Sequence, residues 1–471
     1  MSKRDMVLAS TTQGTEMATL AEELSDYALS VRYGDLGEET VLEAKKRVID
    51  SIGCALGAFS EAPVRAARGT VAEDHPGKAS TLLGTRVKTS PDMATFVNGA
   101  MVRYFDYNDT YLSKEPAHPS DNISACLATA EKRGSSGREL LTAIALAYEI
   151  QCRLCDAADI RHRGWDHVCY GLVSAALASG RLMGLSRERL THAVNISLNS
   201  HIAMRQVRAG ELSAWKGCSF ANAARNAVFS AMLAGNGMTG PAPIFEGEMG
   251  FFKQVSGPFE LLPQGFGGRG GTFKLLETYV KYFPAEYHAQ SAIWAALAAR
   301  RRAGSTDAIE SVEVETHEAG YTILAKDTEK WRPSTKETAD HSLPYMVGMA
   351  ILKGRVDNST YSSRNIHDPE TLGFLKRIRV REDKEFTKAY PEHIANRVKL
   401  TLKGGGTVVE QVDIPKGHPR NPMSMEEIES KFTGLTRRFL GMSQREKVLD
   451  FVWNLERQKE IDPLFEFCAA D

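Results

Sequence analysis

From Met17 to about Gly240 the apolar residues recur at three- and four-residue spacing, with Ala, Gly and Ser crowding the same faces. That period belongs to amphipathic helices, not to strands, whose side chains alternate. "TVLEAKKRVIDSIGCALGAF" begins with charges on one face and ends as an Ala/Gly-rich buried stretch, and "SDNISACLATAEKRG" starts on capping residues and stops at Gly134. "GRELLTAIALAYEIQCRLC", "HVCYGLVSAALASGRLMG", "SRERLTHAVNISLNSH" and "GCSFANAARNAVFSAMLAGNG" continue the pattern. Side chains this small let helices approach closely, so the expected architecture is a helical bundle.

The texture changes near Phe259. "LLPQGFGGRGGTF" resembles a phosphate loop only in glycine content, lacking the G-K-[ST] ending, and is expected to be a linking loop whose composition would permit a hinge. Beyond a helix at 287–302, "IESVEVETHEA" alternates as a strand should, followed by "FLKRIRVRED" and the pair "NRVKLTLK" and "TVVEQVDIP", which Gly404 to Gly406 would join as a hairpin. From Ser424 the chain is helical again. The expected fold is mainly α: a large helical domain from residues 1–275 and 424–471, with a smaller α+β domain, 276–423, inserted between them.

A chain of 471 residues with 42% hydrophobic and 25% charged residues has ample material for a sizeable core. A formal net charge of −1 gives no global field to recruit nucleic acid or anionic lipid, so an anionic partner must be bound locally. Seven scattered cysteines, an odd number, argue against a secreted disulfide framework and for a reducing compartment. Cys152 and Cys155 form a C-x-x-C within a helical pattern, with no second pair at zinc spacing, and read as buried thiols. No apolar run approaches the roughly 20 residues that span a bilayer, and "MSKRDMVLASTTQGTEM" reads as a polar, frayed N-terminus without the apolar region of a signal peptide. The expectation is a cytoplasmic protein.

Chemistry concentrates in "DYNDTYLSKEPAHPSDN", residues 106–122, with Arg103 three positions upstream. Asp106 and Thr110 are four apart, so a helical turn would put them on one face. His118 precedes Pro-Ser-Asp-Asn, a good helix start whose free N–H groups favour anions. The same residues also fit a loop ending in a cap, with His118 facing solvent. In "RQVRAGELSAWKGCSFANAARNA", Arg205, Arg208, Ser213 and Lys216 approach a small-residue helix from its N-terminal side, where cations would reinforce attraction for a carboxylate. The bland alternative is a solvated basic loop. His162 and His167 in "RHRGWDHV" are five apart, which is not the spacing of a helical zinc pair. "YFPAEYHAQSA" offers Glu286, His288 and Gln290, and "ETADHSLPY" offers His341 and Ser342.

"DYNDTYLSKEPAHPSDN", "WKGCSFANAARNA", "YFPAEYHAQSA", "VETHEA" and "ETADHSLPYMV", in that order, resemble the MmgE/PrpD family from roughly Leu20 to Glu460. The family includes 2-methylcitrate dehydratases, cis-aconitate decarboxylases and iminodisuccinate epimerases. The resemblance implies that the inserted domain is a lid, and that the protein is a homodimer with no metal or organic cofactor. It implies catalytic roles for Asp106, His118, Lys216 and His288, and substrate contacts from Thr110, Gln290 and Tyr321; Arg103 and Arg208 are the further cations in these stretches available to clamp a bound carboxylate. Lys216 matches the basic residue of the decarboxylases.

The activity so implied is a cofactor-independent lyase of propionate catabolism acting on a di- or tricarboxylate, foremost the dehydration of 2-methylcitrate to 2-methyl-aconitate. Decarboxylation of cis-aconitate and epimerisation of iminodisuccinate are the alternatives, because "LSAWKGCSFA" and "STKETADHSLPY" depart from the dehydratase branch. All three reactions form a carbanion-like centre beside a carboxylate, which needs cations aimed at it and an acid and base of suitable pKa. Outside enzymes, an Ala-rich helical scaffold or binding protein would also fit the helical pattern.

Overall fold

The computed structural model describes residues 18–71, 79–210 and 212–470; the N-terminal tail expected to fray lies outside the described residues. The helices Leu20–Ser30, Gly37–Gly57, Pro91–Arg103, Ile123–Arg133, Gly137–Ala157, Val168–Leu182, Arg187–Ser200 and Ser219–Gly235 pack into one bundle. Met425–Thr436 and Met442–Trp453 return to it from the far end of the chain. Local chemistry sets the ends: Ser136 and Glu139 form a reciprocal capping box, and Gly134 closes the preceding helix at φ +63°.

The small residues do what their pattern predicts. A Cβ at Gly53 or Gly57 would lie 3.2 Å from Phe432 or Leu435 of the returning helix. At Gly99 it would lie 3.0 Å from Ala221, where Pro91–Arg103 crosses Ser219–Gly235. That close crossing brings the C-terminal end of one helix, bearing Arg103, toward the N-terminal approach of the other, bearing Lys216.

A two-stranded ribbon, β1 (Ser80–Thr81) and β2 (Lys88–Thr89), lies in the helical part. The second part holds β3 (Ile309–Thr316), β4 (Ile378–Glu382), β5 (Asn396–Leu402) and β6 (Thr407–Val412), in the order β4-β3-β5-β6. β3 pairs parallel with β4 and antiparallel with β5, and β5–β6 is the expected hairpin. Val312, Val314, Val398 and Leu400 face the helices Gln290–Ala303 and Leu343–Lys353 across a core of their own. Each of the two large cores excludes water from its own set of side chains, the main favourable contribution to folding. The helical core also takes in Tyr279, Val280, Tyr287 and Ile394, so the two parts interleave around the 279–287 segment.

The Gly-rich bridge is packed down. Gly267 and Lys274 donate their N–H groups to the Glu149 carboxylate at 2.9 and 2.6 Å, Tyr27 donates to the Gly267 carbonyl, and Phe266 and Phe273 are buried. All seven cysteines are buried free thiols. Among the described residues no helix is long and apolar enough to cross a membrane.

Candidate active site

Segment 104–118 is not helical, so Asp106 and Thr110 are not placed by a helical turn. Two backbone bridges hold it instead, Thr110 with Tyr279 and Tyr111 with Ala117. The Thr110 hydroxyl donates to the Ala117 carbonyl at 3.0 Å, which makes it a brace of the loop. Asp106 adopts φ +50°, a left-handed conformation that Asp tolerates better than most residues. Strain of about 1–3 kcal/mol is common where a site over-determines the backbone.

Asp106 is buried and surrounded by cations from three further stretches of chain. Arg103 donates Nη1 to Oδ1; Lys281 donates to the same oxygen at 2.7 Å and to the Asp106 carbonyl at 2.9 Å. Lys216 Nζ lies 3.2 Å and His341 Nε2 3.4 Å from Oδ2. Burial alone would raise the Asp106 pKa, but Arg103, Lys216, Lys281 and His341 together hold it well below the usual carboxylate range. Burial pushes Lys216 down despite Asp106 and Asp340, making its ammonium a better acid than an exposed lysine.

His118 is half-buried. Its Nδ1 lies 2.7 Å from the Asp109 carbonyl, which can only accept, so Nδ1 carries the hydrogen. Nε2 therefore presents its lone pair to Arg103 Nη2 at 2.8 Å. Burial, then Arg103 and Lys281, push its pKa well down, so His118 is a neutral acceptor. Its ring meets His167 edge-on, with centroids 5.7 Å apart.

His167 Nδ1 is 3.0 Å from Asp166 Oδ1, whose other oxygen accepts from Arg208 at 2.8 Å, while the buried His167 Nε2 has no partner. Burial, with Arg208 next, lowers the His167 pKa to about 4. Arg208 thus meets His167 by way of the Asp166 carboxylate. His162 is exposed beside Asp159 and forms no pair with His167.

The second core contributes Asp340, whose Oδ1 is 2.6 Å from His341 Nδ1 and whose Oδ2 accepts from Lys336 at 2.9 Å. Lys336 also donates to the Tyr104 carbonyl at 3.1 Å, tying the two parts across the site. Burial and then Lys216 lower the His341 pKa. Arg103, Tyr104, Asp106, Lys216, Lys336 and Asp340 line a small cleft at this junction. Ligand atoms of Asp106, Asp340 and His341 lie within 4.8 Å of one another, but the ammonium groups of Lys216 and Lys336 already pair with the two carboxylates and supply the positive charge a cation would bring.

His288 lies one step away, its Nδ1 2.7 Å from Glu286 Oε1, with the Glu286 N–H bonded to the Asp340 carbonyl. Gln290 turns away: its amide bonds the main chain of Phe283 and Ala285, so it shapes the turn that carries His288 and has no hydrogen on Nε2 left for a ligand. Tyr321 is half-buried on the Glu318–Leu324 helix. Asp121 and Asn122 bond Asn108 and Gln151, and Glu115 receives the Ile160 and Arg161 N–H groups, so all three are scaffold.

The structure thus adds Lys281, His167, Asp340 and Lys336, and gives His341 a central position. A usable signal was present: of the three Asp-His dipeptides in the sequence, the two within the described residues are 166–167 and 340–341, and in both the carboxylate orients its neighbour's Nδ1.

A model of the MmgE/PrpD N-terminal domain matches residues 22–264, and one of the MmgE/PrpD C-terminal domain matches residues 283–457. The chain is 31% identical to a 2-methylcitrate dehydratase of Cupriavidus necator, over 84% of this chain and 86% of that protein. It is 29% identical to a 2-methylcitrate dehydratase of Escherichia coli K12, over 89% and 90%. A mitochondrial 2-methylcitrate dehydratase of Yarrowia lipolytica is 28% identical over 91% and 85%.

Proposed function

The chain belongs to the MmgE/PrpD family, and on that premise we propose that it is a hydro-lyase that removes water from a tricarboxylate, 2-methylcitrate foremost, giving 2-methyl-aconitate. What carries the reading is the convergence of Arg103, Lys216 and Lys281 on one carboxylate, Asp106, beside His118 and His341. Asp106 fills the place where those cations meet. A substrate carboxylate drawn to Arg103 competes for the guanidinium and releases His118 Nε2.

His118, once released, takes the α-proton. The developing dianionic enolate is then stabilised by Arg103, Lys216 and Lys281, fixed donors in a water-poor site where such contacts are strongest. Lys216 protonates the departing β-hydroxyl as water, and after product leaves Lys216 takes up a proton from solvent while His118 gives up the one it took; His341, aligned by Asp340, holds the Asp106 side of the cluster in place. His288, held by Glu286, and Tyr321 bound the substrate on the second part. The net change is loss of one C–H proton and one hydroxide, with no change of oxidation state. By the same family premise the enzyme is a homodimer of propionate catabolism.

Lys216 favours a second reading, since it matches the basic residue of the decarboxylases. The same cations would then stabilise the enolate left after carbon dioxide departs from cis-aconitate. Incubation with 2-methylcitrate, citrate, cis-aconitate and iminodisuccinate, with products read by NMR, decides between water loss, carbon dioxide loss and inversion. No change in any of the four would sink the enzymatic reading.

A further inference from the structure

His317 follows the last residue of β3 and caps the Glu318–Leu324 helix, its Nδ1 accepting the Gly320 N–H at 3.2 Å. An imidazole nitrogen that accepts carries no hydrogen, so the neutral ring has its proton on Nε2. Burial, then the neighbouring His288, lowers the His317 pKa to about 3, so the ring is neutral over the whole physiological range. Its Nε2–H is completely buried and has no hydrogen-bond partner.

The surroundings fix this orphaned donor. The ring stacks on Tyr390, with centroids 4.8 Å apart and planes at 18°, and meets His288 at 5.1 Å. A Cβ at residue 320 would lie 3.4 Å from both Cε1 and Nε2 of His317 and 2.3 Å from Thr316 Oγ1, which also lacks a partner. Glycine at that position keeps a methyl group from pressing on the polar edge, which is closed to solvent. An unsatisfied buried N–H costs about 1–3 kcal/mol, and the cap to Gly320 and the stack on Tyr390 hold this donor in one tautomer and one orientation.

We infer that His317 is a substrate-binding residue, its Nε2–H donating to an oxygen of the bound carboxylic acid at the His288 side of the site. The inference rests on the lyase reading above. The link to that site is short: His288 holds Glu286, whose main-chain N–H bonds the Asp340 carbonyl at 3.0 Å. Unlike Arg103 or Lys216, His317 contributes no charge. It selects for an oxygen at one position, and a ligand lacking that oxygen leaves the donor unpaired.

Two substitutions separate this role from capping. His317→Asn keeps a good N-cap oxygen but is too short to place an N–H where Nε2 stands. His317→Gln carries an amide N–H at nearly that reach and is a poorer cap. Calorimetric binding of tricarballylate, an unreactive tricarboxylate, is measured with KM, kcat and Tm for both. The Asn variant is expected to bind roughly 10–100-fold more weakly, with raised KM and Tm near wild type. The Gln variant recovers most of the affinity despite a lower Tm. Wild-type affinity in the Asn variant, as when a buried water occupies the spot, or losses that follow Tm in both, would overturn the inference. If the wild type neither binds tricarballylate nor turns over a tricarboxylate, the lyase reading falls and this inference with it.

Discussion

Arg103 places one terminal nitrogen on Asp106 and the other 2.8 Å from His118 Nε2. One planar fork therefore joins the carboxylate at the centre of the cation cluster to the imidazole proposed as base. While both contacts hold, the His118 lone pair is masked. A carboxylate that draws Arg103 away unmasks it, which would couple substrate arrival to release of the base.

Arg103→Lys tests that coupling, because an ammonium is a point donor and cannot span both partners in a plane. Turnover is expected to drop by about 100-fold or more, while His118, relieved of the guanidinium, titrates nearer its ordinary pKa. NMR of the His118 ring protons against pH follows the second effect. A Lys variant with full activity and an unchanged His118 titration would remove Arg103 from the mechanism.

Asp106→Asn leaves Arg103, Lys216 and Lys281 buried without their shared counter-charge. Uncompensated burial of this kind costs about 3–5 kcal/mol. The variant is expected to be inactive and to melt well below wild type, and millimolar citrate should raise its Tm more than it raises the wild type's. Equal melting temperatures without ligand would show that the cations are not held by Asp106.

Much of this was readable from local chemistry. Helix period, the Gly134 stop, the β5–β6 hairpin and the helical return depend on neighbours within a few residues, and Gly53 and Gly57 announced close packing. Asp106, His118 and Arg103 sit within one short stretch and could be seen together. Lys281 could not, because its 2.7 Å contact with Asp106 spans 175 positions and nothing in "TYVKYFPAEY" marks its one lysine as a partner of that aspartate. Gln290 misled for the converse reason: it stands in a segment that resembles active-site sequence, yet the turn at Phe283 and Ala285 needs its amide.

Asp106, Asp340 and His341 are close enough to suggest a divalent cation, but Lys216 sits 3.2 Å from Asp106 and 3.8 Å from Asp340. A dication there would face that ammonium at short range. Dialysis against a chelator is expected to leave turnover unchanged, and added zinc or iron not to raise it. Activity lost to chelation and restored by one metal would overturn the proton-transfer scheme.

Acid should unfold the protein through its buried histidines. The His167 pKa is depressed to about 4 and that of His317 to about 3, against about 6.5 for an unfolded histidine. As pH falls below about 6.5 the unfolded chain takes up protons that the folded chain refuses, so stability present at neutral pH is progressively lost until the folded pKa is passed. For His167 alone the difference corresponds to roughly 3 kcal/mol. Chemical denaturation at pH 7 and at pH 4.5 should therefore show a large loss in the wild type and a smaller one in His167→Gln, which has no proton to gain. The Gln variant losing as much stability as wild type between those two pH values would mean that His167 is not held neutral by the fold.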